Sequence, residues 1–96
     1  MALRIIWSER ALHELEKVAA FIAADSPAHA ALTVSHIIGR FHQAAEFPNS
    51  GRVVPEFGDP HLREVFWREY RLVYWVEKET IEIAAIHHGK RQLDNL

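Results

Sequence analysis

The chain has no cysteine, which excludes disulfides, thiolate zinc sites, iron–sulfur clusters and thiol nucleophiles, and fits a reducing compartment. A cytoplasmic location is therefore expected. Glycine and proline number only four each, too few for a low-complexity or collagen-like chain. Neither sign of charge dominates: 11 Lys+Arg stand against 13 Asp+Glu, a net −2. Residues 1–51 carry four basic and five acidic side chains, and 52–96 carry seven and eight, so neither half is a basic domain. Non-specific nucleic-acid binding must neutralise several phosphates, and a net-acidic chain can do that only through a local cluster. Long apolar runs are missing as well. His, Ser or Pro interrupts every uncharged stretch before the roughly 18–20 residues that a membrane-spanning helix needs. The first ten residues, Met1 to Arg10, lack the basic-then-apolar order of a secretion signal, so none is expected.

What is there is an ordinary globular composition, 49% hydrophobic and 25% charged over 96 residues. At this size one core is the limit, so the chain is expected to form a single domain over 1–96.

Leu3 to Trp7 is short, β-branched and aromatic and predicts a strand. Ser8 is an N-cap residue and Glu9 suits a first helical turn. The apolar positions Leu12, Leu15, Val18, Ala19 and Ile22 then fall on one face of a helix that should end near Ala24. Asp25-Ser26-Pro27 opens a second helix, with proline at the first turn where its missing N–H costs nothing. Ala31, Val34, Ile38, Phe41 and Ala45 form its 3-4-3-4 stripe. An antiparallel helical hairpin over 9–46 follows from these two patterns. After the breaker cluster Phe47 to Gly51, Arg52 to Glu56 predicts an edge strand, because Pro55 cannot donate to a central ladder. Leu62–Trp67, Tyr70–Val76 and Thr80–His87 predict a β-meander, and Gln92 to Leu96 a frayed tail. The fold class is α+β, with an N-terminal strand, a helical hairpin and a mainly antiparallel sheet packed on the helices.

With a loop centred on Lys78-Glu79, paired residue numbers in the last hairpin sum to 157, which sorts the strands by face. Leu72, Tyr74, Val76, Ile81, Ile83, Ala85 and His87 share the face that should meet the helices. Arg71, Val73, Trp75, Glu82, Ala84, Ile86 and His88 share the other. Val73, Trp75 and Ile86 are more apolar than water requires, so a partner is expected to cover them.

Seven histidines invite a metal site, but no pair has chelating spacing, and the adjacent His87 and His88 point to opposite sides of a strand. No metal and no cofactor are expected. Gly-rich phosphate loops and nucleophile elbows are also missing. Arg71, His88, Lys90 and Arg91 remain, with Gly89 freeing the backbone between them. Such a group suits RNA cleavage, His exchanging protons while the cations stabilise charge at the scissile phosphate. On the residues alone, a solvated basic strand end is the favoured reading.

The order of elements, with Pro48-x-x-Gly51-Arg52-x-x-Pro55-Glu56, Leu62-Arg63-Glu64-Val65, Tyr70-Arg71-Leu72-Val73-Tyr74 and His88-Gly89-Lys90-Arg91, resembles the RelE/ParE superfamily of type II toxin–antitoxin toxins over essentially the whole chain. The resemblance implies a growth-arresting toxin of a plasmid-stabilisation module, neutralised by a cognate antitoxin, often as two toxins with two antitoxins. The paired helices, the Pro-Glu segment and the acidic net charge resemble the ParE branch, which inhibits DNA gyrase. The alternative is the RelE branch, which cuts mRNA on the ribosome. It would use Arg71, His88 and Arg91, with Arg63 and Lys90 binding the target, but the lysine pair and late tyrosine of that branch have no counterpart here. A second alternative is a non-toxic binding module of the same fold. Val73, Trp75 and Ile86 are the expected antitoxin contacts.

Overall fold

The computed structural model describes residues 2–89 and 91–96. Strand β1 (Arg4–Trp7) leads into helices α1 (Glu9–Ala23) and α2 (Pro27–Glu46). A single 3-10 turn (Pro48–Ser50) precedes strands β2 (Arg52–Val53), β3 (Leu62–Trp67), β4 (Tyr70–Val76) and β5 (Thr80–His88). The five strands form one sheet in the order β1-β5-β4-β3-β2, antiparallel except for β1, which runs parallel to β5. A parallel pair needs a crossover, and here the helical hairpin together with β2, β3 and β4 lies between its two members.

The helix boundaries follow from their caps. Ser8 Oγ accepts from Ala11 N at 3.0 Å, and Ser26 Oγ accepts from His29 N at 3.1 Å. Each bond satisfies one of the orphan donors of a first turn. The buried stripe of α2, however, is Ala30, Thr33, Ile37, Phe41, Ala44 and Ala45. Of the stripe expected from spacing, Phe41 and Ala45 are buried, Val34 and Ile38 are half-buried, and Ala31 is exposed. A helix touching both a sheet and a second helix buries a wider, rotated face than a two-helix seam would.

Between helices and sheet lies the main core: Ala11, Ile37, Phe41, Val65, Leu72, Tyr74, Ile81, Ile83 and Ile86. Trp7 packs its ring edge on Phe41, centroids 5.5 Å apart. Tyr74 is fully buried, and its hydroxyl donates to Pro48 O at 2.8 Å, tying the 3-10 turn to the sheet. No described helix is long and apolar enough to cross a membrane.

A second, smaller core covers the opposite face, where Val54, Leu62, Val73, Ala84, Ala85 and Leu93 pack with Trp75 at the margin. This corrects two expectations. The tail is not frayed at Leu93, which is 2% exposed. Nor is the second face bare, because Val73 is 0% exposed beneath residues of the chain itself. Further along, Asn95 is held by Arg10, whose Nη1 donates to the Asn95 carbonyl at 2.6 Å.

The last hairpin corrects a third. Near its loop, Val76↔Ile81, Trp75↔Glu82 and Tyr74↔Ile83 keep the sum of 157. Then the register slips: Val73 pairs with Ala85, Leu72 with Ile86, Arg71 with His87 and Tyr70 with His88. Ala84 is the extra residue of a β-bulge, and beyond it every β5 side chain changes face. Ala84 and Ala85 both join the second core, as the backbone geometry of a bulge allows for neighbouring residues. Ile86 therefore packs in the helix-side core and His88 leaves the face of Arg71, while His87 moves onto it.

Candidate functional site

Arg71 is the clearest case of a residue whose surroundings the sequence did not reveal. Its side chain is 5% exposed, and all three guanidinium nitrogens are engaged. Nε donates to Glu64 Oε1 at 2.6 Å, Nη1 to Glu56 Oε2 at 2.5 Å, and Nη2 to Glu56 Oε1 at 2.7 Å. Glu64, fully buried, also accepts from Arg52 Nε at 2.7 Å. Glu56 Oε2 accepts from Leu93 N at 3.1 Å, so the same carboxylate holds the tail. The bidentate grip of Arg71 keeps the Glu56 carboxyl well below the usual range, at about 2. The two carboxylates in turn raise the Arg71 pKa. Arg71 thus lines a hollow of about 350 Å³ with Arg52, Pro55 and Gln92, but as a neutralised structural cation.

The other expected residues are scattered. Arg63 is half-buried and spends its guanidinium on the carbonyls of Pro60 and Gly51, at 3.1 and 3.0 Å. Lys90 lies outside the described residues. Trp75 is half-exposed and lines an open hollow of about 580 Å³ with His61, Val76, Glu77 and Lys78. Val73 and Ile86 are buried in the two different cores, so the three expected contacts do not form one surface. His87 was expected on the face that meets the helices. It is half-buried on the Arg71 side, and its Nε2 is enclosed without a partner among the described residues.

His88 and Arg91 do meet, in a place the sequence did not single out. With Tyr70, Ile86, His87, Glu14, Lys17 and Val18 they line a cleft of about 210 Å³ between α1 and the end of β5. Three local features build it. First, β1 stops opposite Ile83, leaving the rest of the β5 edge bare. Second, α1 covers that edge: Ser8 N donates to Ile83 O at 3.1 Å, and Glu14 Oε1 accepts from Ile86 N at 2.9 Å. Third, Gly89 N donates to Glu69 O at 2.5 Å, an approach so close that a Cβ on residue 89 would sit 2.7 Å from that oxygen. Burial, with the nearby Glu69 charge, pushes the Tyr70 hydroxyl up from its ordinary value, so it stays protonated at neutral pH. Lys17 and Glu14 are three residues apart on α1, a helical neighbourhood legible in the sequence. Nothing in the sequence, however, places Tyr70 or Arg91 beside them.

Arg71 and His88 thus stand on opposite faces of the sheet, and no hydrolytic centre is assembled around the pair. What the fold presents is a small α+β protein with open clefts and a half-exposed tryptophan at the rim of one of them.

A family model described as "ParE toxin of type II toxin-antitoxin system, parDE" matches residues 5–93, and the chain belongs to that family. It is 43% identical over 91 residues to "Putative toxin Y4kP" of Sinorhizobium fredii, covering 93% of this chain and 91% of that protein. Among solved structures it is similar to the "Chromosomal ParDE TA system from P. aeruginosa", with a TM-score of 0.73 at 18% identity. That superposition covers 91% of this chain and 96% of the other and shows the shared fold. Membership makes this a ParE-type toxin, and the family implies an antitoxin partner.

Proposed function

We propose that this toxin arrests bacterial growth in the cytoplasm by binding DNA gyrase, and that a cognate antitoxin neutralises it by masking its surface, as a complex of two toxins with two antitoxins. The observation that favours gyrase over mRNA is the state of Arg71. A nuclease needs its strand arginine open to the scissile phosphate, whereas Glu56 and Glu64 occupy every nitrogen of this one. His88, the proton-transfer candidate, faces the helices instead.

Within this reading Trp75 is the antitoxin contact, since it is the reachable member of the expected three and borders the large open hollow. Trp75→Glu should leave the toxin folded and raise the dissociation constant of the complex measured by calorimetry. Unchanged binding would move the antitoxin elsewhere.

Controlled overexpression decides the rest. Growth should stop, gyrase-linked DNA breaks should accumulate, and mRNA should show no new 5′ ends. New 5′ ends without DNA breaks would overturn the gyrase reading in favour of the nuclease. Undisturbed growth would favour a non-toxic binding module.

A further inference from the structure

The cleft between α1 and the end of β5 brings side-chain donors together with an apolar wall. Its one carboxylate is already committed: Glu14 accepts from Ile86 N with one oxygen and from Arg10 Nε with the other, at 2.9 and 3.3 Å. The donors are not committed. Lys17 and Arg91 make no ion pair among the described residues, and both are exposed. His88 is exposed too, and its ring contact is with Tyr70, edge to face at 6.0 Å between centroids. The Tyr70 hydroxyl remains a donor at neutral pH. On the remaining side Val18 and Ile86 give an apolar wall.

We infer that this cleft is a binding site for a phosphate group carried on a compact organic residue, such as the phosphorylated end of a nucleotide. Lys17 supplies a point charge, Arg91 a planar fork that matches two phosphate oxygens, and His88 and Tyr70 further side-chain donors. The carbon side of the ligand rests on Val18, Ile86 and the Tyr70 ring. A volume of about 210 Å³ suits a phosphoryl group with its sugar, and falls short of the space that a drug-sized ligand takes. The chain as a whole is net acidic, which argues against tracking a long phosphate backbone and for a single captured group. The site is independent of the target assigned to the toxin, so it stands or falls apart from the gyrase reading.

The test is a titration of the purified full chain, followed by the NMR signals of the His88 imidazole and the Tyr70 ring. Four probes are used: inorganic phosphate, thymidine 5′-monophosphate, thymidine, and an acetylated aspartate amide. The monophosphate should bind more tightly than inorganic phosphate, with thymidine and the carboxylate moving neither ring. Phosphate binding as tightly as the nucleotide would overturn the organic half of the proposal. Equal binding of the carboxylate would overturn the phosphate half. Lys17→Ala and Arg91→Ala, both at exposed positions, should each weaken the monophosphate roughly tenfold or more while the denaturation midpoint stays put. Unaltered affinity in both variants would place the ligand outside the cleft and overturn the assignment.

Discussion

Tyr70 and His88 lie directly opposite one another on β4 and β5, their rings edge to face with centroids 6.0 Å apart, on the helix side of the sheet. That contact exists because Ala84 is bulged. Without the extra residue, His88 would stand with Arg71 on the other side.

His88→Ala should cost no more than about 0.5–1.5 kcal/mol, the worth of an edge-to-face ring contact at the rim of the fold. Urea denaturation checks this. If the toxin acts by binding, growth arrest on overexpression should persist in the variant, whereas a nuclease would lose about 10²–10⁴-fold in rate with its general acid–base group. Abolished arrest in a stably folded variant would favour the nuclease.

Arg71→Met should destabilise the protein by about 3–5 kcal/mol, because it leaves the fully buried Glu64 carboxylate with Arg52 alone and frees Glu56. Arg71→Lys should recover little of this, since an ammonium cannot span two carboxylates with five donors. A functional arginine open to solvent would show the opposite pattern: little change in the urea midpoint and a large change in activity.

Stability should fall on acidification in a window set by Glu56. Its carboxyl titrates at about 2 in the folded protein against 4.5 ordinarily, so the unfolded chain binds the proton first. The contribution is complete above pH 4.5 and is lost as pH falls toward 2. It amounts to a few kcal/mol at most. Glu56→Gln should lower stability at neutral pH and flatten the slope between those limits. A variant whose slope matched that of the parent would assign the acid sensitivity to other carboxylates.

Gly89→Ala should cost more than about 1 kcal/mol, because the added methyl meets the Glu69 carbonyl at 2.7 Å with backbone on both sides. The same displacement should shift the Tyr70 and His88 ring signals. Identical spectra would mean that the chain after β5 can settle without this close approach.

Phe41→Ala should cost about 3–5 kcal/mol, since the ring is wholly buried between α2, Trp7 and the sheet. Circular dichroism melting should find the variant largely unfolded at physiological temperature.

The α+β order and the helix starts were legible in the sequence because their causes are local. Ser8 and Ser26 cap through their own side chains, Pro27 fixes the first turn of α2, and hydrophobic period marks each element. Gly89 stood out in the sequence for its backbone freedom, but what requires a glycine there is the close approach of the Glu69 carbonyl. Three matters were not legible. The phase of the α2 stripe depends on what two neighbours press against it, so Ile37 rather than Ile38 reached the core. The partners of Arg71 come from a turn, a neighbouring strand and, through Glu56, the tail, segments joined by no short-range pattern. The face of His88 turned on one unpaired alanine. A strand alternates with period two whatever its partner, but which residues stand opposite is set by the whole ladder. Two adjacent alanines cost the second core nothing in volume, so packing accepted a bulge that residue counting along the hairpin could not register. Sequence thus determined the elements and their order, while tertiary packing decided which side each candidate side chain faces.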